Sequence, residues 1–139
     1  MMPAGRYYIG DLCYVMHEEW DEVCALYFEG RTDHGCNDGE FQLKDGRRFA
    51  SYGTRWGDGL YFDQYGHSYG VDAGLIGCIA VDDIREEVPQ ILDLGAIVEF
   101  KTDFYTSGGR DQLGRDWDGV IKIGHVEIET DPRDEEEVW

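Results

Sequence analysis

Two short spans of this chain carry side chains of the kinds that chemistry uses. Residues 52 to 77, YGTRWGDGLYFDQYGHSYGVDAGLIG, hold Arg55, Trp56, Asp58, Tyr61, Asp63, Tyr65, His67, Tyr69 and Asp72. Rings at this density stack on a planar ligand while a few polar groups orient it, so the span is a candidate wall of a binding cleft. A phosphate on such a ligand needs local cations. Arg55, with Arg110 and Arg115 from a second Gly-rich loop, supplies them, and Trp117 adds a further ring. The same residues suit a plainer use, in which the rings form cross-strand pairs and Asp58 and Asp72 accept bonds from turn amides.

The second span is Asp11, Cys13 and His17, the local grouping with the parts of an activated thiol. Cys13 stands between Leu12 and Tyr14 in an apolar run, and a thiol buried there is a small inert hydrophobe with a raised pKa. Metal chemistry is weakly signalled. Cys13, His17, His34 and Cys36 mix the sulfur and nitrogen ligands of zinc without a regular spacing. Asp111, Asp116 and Asp118 lack the ligand rhythm and closing Glu of an EF-hand loop. The GDG at 57 to 59 has no third glycine and opens no helix, and no GxxxxGK[ST] occurs. Carboxylates are too numerous for any pair to stand out as acid and base. No metal or cofactor is therefore expected, and binding is favoured over turnover.

The elements that must position these residues read as mainly β. A chain of 139 residues suits one domain, taken as 1–130, followed by an acidic tail at 131–139. RYYIGDLCYV reads as two extended pieces broken at Gly10-Asp11. Met16, Trp20, Val23, Cys24, Tyr27 and Phe28 recur at helical spacing, which predicts one amphipathic helix of about three turns. Glu18, Glu19, Asp21 and Glu22 fall on its outer face. Asp45-Gly46 predicts a tight hairpin, and a second is expected from Leu60–Asp63 to Ser68–Asp72, with Tyr61 and Asp63 on one face and Leu60 and Phe62 on the other. LIGCIAV has the continuous apolar character of a strand buried on both faces, placed at the centre of a sheet. Pro89 breaks the segment after it into a short turn or crossover. In VIKIGHVEIET the apolar phase slips at Gly124, as a bulge or bend would cause. The fold class is a β-rich α+β protein: an antiparallel curled sheet, barrel or sandwich, with one helix near the N-terminus.

Charge narrows the partners. Twelve Lys and Arg against thirty Asp and Glu leave a net charge of −18, a field that repels nucleic acid and anionic membrane. Four cysteines without CxxC pairing and no signal-peptide h-region point to a reducing cytoplasm. The segments YYIGDLCYVMHEEWDEVC, WGDGLYFDQYGHSYGVDAGLIG and DGVIKIGHVEIETD resemble a group of small acidic proteins encoded by tailed bacteriophages and prophages, over most of the chain. That resemblance implies the cytoplasm of a bacterial host and a role in inhibiting bacterial defence, and it carries no catalytic residues. The expectation is a non-enzymatic phage accessory protein that docks its acidic surface on a basic host protein, a nucleic-acid mimic being one form of this. The alternative is a pocketed binder that sequesters a nucleotide-like immune signal, and a metal- or thiol-dependent enzyme ranks third. A homo-oligomer is compatible with either binding role.

Overall fold

The structure, a computed structural model, describes residues 1–28, 38–54, 57–88, 90–108 and 119–130. Its strands in chain order are β1 (Gly5–Gly10), β2 (Gly39–Gln42), β3 (Arg48–Gly53), β4 (Gly59–Asp63), β5 (Ser68–Val71), β6 (Leu75–Ala80), β7 (Ala96–Phe100), β8 (Thr106–Ser107), β9 (Val120–Ile123) and β10 (Val126–Glu129). They form two five-stranded sheets, β2-β3-β6-β1-β7 and β5-β4-β10-β9-β8, antiparallel throughout their pairings. The arrangement is a sandwich, and among the described residues no closed barrel forms.

Side-chain alternation explains the layering. From the first sheet, Tyr7, Ile9, Tyr52, Ile76 and Cys78 face the second, which returns Tyr61, Tyr69, Ile121, Ile123, Val126 and Ile128. The opposite face of the first sheet is buried too. Tyr8, Phe49 and Ile79 meet Leu12, Val15, Met16 and Val23 from the helical segment that follows β1. A sheet covered on both sides needs strands that are apolar on both sides, and β6 at its centre is the LIGCIA run that the sequence marked out.

Four local expectations are corrected. LCYV is not extended: Leu12–Tyr14 is a single 3-10 turn, capped by the Asp11 carboxylate, which accepts from the Cys13 amide at 3.0 Å. The helix, α1 (Trp20–Phe28), is shorter than three turns, and Met16 reaches the core from the turn before it. Because α1 begins at Trp20, Glu19 lies at its threshold and turns inward, where its carboxylate meets Arg47 at 2.7 Å with both side chains 9% exposed. The Asp45-Gly46 hairpin exists, with Gly46 alone at positive φ, inside a three-residue loop that the Leu43 and Arg47 backbones close. Finally, of the bulge or bend expected at Gly124, the structure has a bend, sharp enough to divide the segment into two strands. Gly124, at φ +59°, and His125 are the two central residues of a tight turn that pairs Ile123 with Val126 across β9 and β10.

One carboxylate joins the two layers. Asp11, fully buried at the end of β1, accepts with its second oxygen from the Asp72 and Ala73 amides at 2.8 and 2.7 Å, where the chain passes from β5 in one sheet to β6 in the other. Asp11→Ala leaves three part-buried N–H groups without their acceptor and is expected to lower unfolding free energy by about 2–4 kcal/mol. Asp11→Asn, which keeps one acceptor oxygen, should lose roughly half as much. Urea titration followed by tryptophan fluorescence measures both, and an Asp11→Ala midpoint equal to wild type would contradict the assignment.

Candidate functional site

The β4–β5 hairpin holds the described members of the predicted ring cluster, but it does not gather them on one wall. Tyr61 and Tyr69 are register partners whose rings are buried between the sheets. Their hydroxyls are committed: Tyr61 donates to the Gly57 carbonyl at 2.8 Å and Tyr69 to Asp63 Oδ2 at 2.7 Å. Asp63 uses its other oxygen to accept from the Tyr65 and His67 amides at 2.9 and 3.0 Å, so it shapes the turn. His67 Nε2 donates to the Gly95 carbonyl at 2.7 Å, and Tyr65 stands exposed at the tip of the hairpin.

Of the two uses expected for these rings, Tyr61 and Tyr69 take the plainer one, a buried cross-strand pair, and do not line a cleft; the expected use of Asp72 for turn amides is corrected. Asp11 serves those amides, while Asp72 Oδ2 accepts from the Tyr14 hydroxyl at 2.5 Å. Asp58 is exposed beside this corner. Arg55, Trp56, Arg110, Arg115 and Trp117 lie outside the described residues, as does the tail at 131–139.

The thiol grouping is also resolved. Burial first, and the Asp11 charge second, push the Cys13 thiol well above its ordinary range. His17 is largely exposed and faces Glu86, its Nδ1 3.9 Å from Glu86 Oε1. Asp11, spent on backbone amides, cannot serve as the orienting acid of a thiolate–imidazole pair. His34, Cys36, Asp111, Asp116 and Asp118 lie outside the described residues. Among those that are described, the side chains with metal-ligand spacing are Glu18, Glu19 and Glu86.

What the sequence did not single out is the outer face of the second sheet. Tyr61 points inward, so alternation turns Leu60 and Phe62 out, and they are 60% and 51% exposed. The next strand presents Glu127 and Glu129 on the same side, and β9 presents Val120 and Lys122. Phe62, Glu129 and Val120 are register neighbours across three strands. Beside them lies a depression of about 190 Å³ lined by Phe62, Asp63, Gln64, Val120, Glu127 and Glu129. Gln64 fixes one end of it, accepting from the Glu127 amide at 2.8 Å and donating to the His125 carbonyl at 2.6 Å. The legible signal was the alternation VEIE: two buried apolar residues with two carboxylates facing the other way.

No helix among the described residues is long and apolar enough to cross a membrane. Compared with protein-family models, curated proteins and solved structures, the chain matches none.

The buried acids of the core set a pH response. Burial pushes the Cys78 thiol from 9.0 up to about 12 and the Tyr7 hydroxyl from 10.0 up to about 12. Between those limits the unfolded chain releases protons that the folded chain retains, so stability is full below about pH 9 and falls as pH rises toward 12. Urea midpoints at pH 7.5, 9 and 10.5 should decline in that order, and Cys78→Ala should flatten the decline. A midpoint constant to pH 10.5 would contradict it.

Proposed function

We propose that this protein works by binding, and that the outer face of its second sheet docks on a basic patch of a bacterial protein. One observation carries the reading. Leu60 and Phe62 are exposed together on a sheet face, beside Glu127 and Glu129, in a chain of net charge −18. An exposed aromatic–aliphatic pair on a rigid strand is what a recognition hot spot requires, since little conformational entropy is lost on burial. Carboxylates at its margin select the partner. An Arg or Lys of the partner can lay its apolar stem on Phe62 and bring its charge to Glu127 or Glu129. The overall negative field speeds the encounter and rejects nucleic acid and anionic lipid.

The resemblance to phage-encoded acidic proteins supplies the setting: a bacterial cytoplasm, with a defence component as the target. Internal use of Tyr61 and Tyr69 leaves fewer rings for a nucleotide ligand, which favours a protein partner.

Immobilised wild-type protein should capture a basic protein from bacterial lysate at about 0.05 M salt and release most of it at about 0.5 M. Leu60→Ser with Phe62→Ser should weaken capture by roughly tenfold or more, and Glu127→Lys should slow association. Neither change touches the core, so thermal melting should stay within about 2 °C of wild type. Capture that survives both high salt and the double substitution would refute the proposed face.

A further inference from the structure

Away from that face, the approach to α1 and the segment after β6 bring three carboxylates together. Glu18, Glu19 and Glu86 each offer an oxygen, and these oxygens lie within 4.8 Å of one another. Two oxygens bound to one hard dication at about 2.4 Å can be at most about 4.8 Å apart, and each pair in this cluster meets that condition for a shared ion. The cluster is held in place from both sides. Glu86 Oε2 accepts from the Glu18 amide at 2.8 Å, and Glu19 Oε2 accepts from Arg47 Nη1 at 2.7 Å.

A separate observation bears on what this cluster can hold. The remaining oxygen of Glu19, Oε1, is buried without a hydrogen-bond partner, on a side chain only 9% exposed. A buried carboxylate oxygen with no donor is costly, and more so beside two further carboxylates. The neighbouring cations do not meet the need. Arg47 is shared with Asp45 at 2.7 Å and the Asp83 carbonyl at 3.0 Å, and His17 stands 3.9 Å from Glu86 on the solvent side.

We propose that Glu18, Glu19 and Glu86 bind one hard divalent cation of the calcium or manganese class, with water completing its shell. The ligand set is all oxygen, without thiolate or imidazole, which disfavours zinc. Bound there, the ion would clip the segment around Glu86 to the threshold of α1, over the covered face of the first sheet.

Chelator-treated full-length protein is titrated with Ca²⁺, Mn²⁺ and Mg²⁺ by calorimetry, and with Tb³⁺ by luminescence excited through Trp20, which adjoins Glu19. One saturable site is expected, with Tb³⁺ emission displaced by Ca²⁺. Glu18→Gln should weaken the affinity by about tenfold or more, while Glu127→Gln on the far sheet should leave it unchanged. Glu18 is exposed, so its variant should retain the wild-type circular dichroism spectrum; Glu86→Gln provides a second test from the other element. Absence of saturable binding at about 1 mM ion would overturn the proposal. So would equal affinity in wild type and Glu18→Gln, or equal loss in Glu127→Gln, since either result assigns the ion to the diffuse field of an acidic chain.

Discussion

The Asp11 carboxylate is the constraint on which the two-layer arrangement depends. The two sheets share no strand, so their mutual position rests on the apolar layer between them, on the places where the chain crosses over, and on a few bonds between them such as Tyr52 to Thr106 at 2.6 Å. Apolar contact is non-directional and would tolerate sliding. Three hydrogen bonds to one fully buried carboxylate would not. They fix the end of β1, the start of the 3-10 turn and the β5–β6 crossing relative to one another. Two tyrosines reinforce the corner: Tyr8 donates to the Asp11 carbonyl at 3.0 Å, and Tyr14 bonds Asp72 across the same junction.

The layering then determines which surface remains for recognition. Helix α1 and its approach cover the outer face of the first sheet, anchored by Arg47, whose guanidinium joins Glu19 to Asp45. The hydrogen bond from Arg47 holds the exposed Asp45 carboxyl at about 2, well below the ordinary range. No equivalent element covers the second sheet among the described residues, and Leu60 and Phe62 stay in water there. Among the described residues one sheet is covered on both sides and the other on one, and Leu60 and Phe62 lie on the uncovered face.

Much of the architecture was legible in the sequence because burial leaves periodic traces. LIGCIAV announced a strand buried on both faces, and the β4–β5 hairpin and α1 followed from alternation and helical spacing. The misreading and the open points have physical causes. LCYV was misread because a side-chain cap converts an apolar run into a turn, and the acceptor that makes the cap also bonds residues about sixty positions away. The phase slip at Gly124 left bulge and bend open because a two-residue turn and a bulge both displace alternation by an odd step. The direction of the hairpin rings was open for a related reason. Alternation correctly separated Tyr61 from Leu60 and Phe62 but cannot state which set faces inward. A Tyr suits either side, and here Gly57 and Asp63 satisfy the Tyr61 and Tyr69 hydroxyls inside.

Net charge is a poorer guide than the distribution of carboxylates among tasks. Asp11, Asp63 and Asp38 accept backbone amides, Asp38 also accepts from the Tyr27 hydroxyl, and Glu19 and Asp45 hold a guanidinium. These acids are structural, and their charge would be present whatever the protein recognised. The sign of a partner is set by the few carboxylates that border exposed apolar surface, where an incoming cation loses water and gains both a charge and a ring. In this chain that condition is met at Glu127 and Glu129, beside Phe62. Under the proposed function, specificity would rest on this local pairing of apolar and anionic groups, and the remaining negative field would govern how fast a partner arrives.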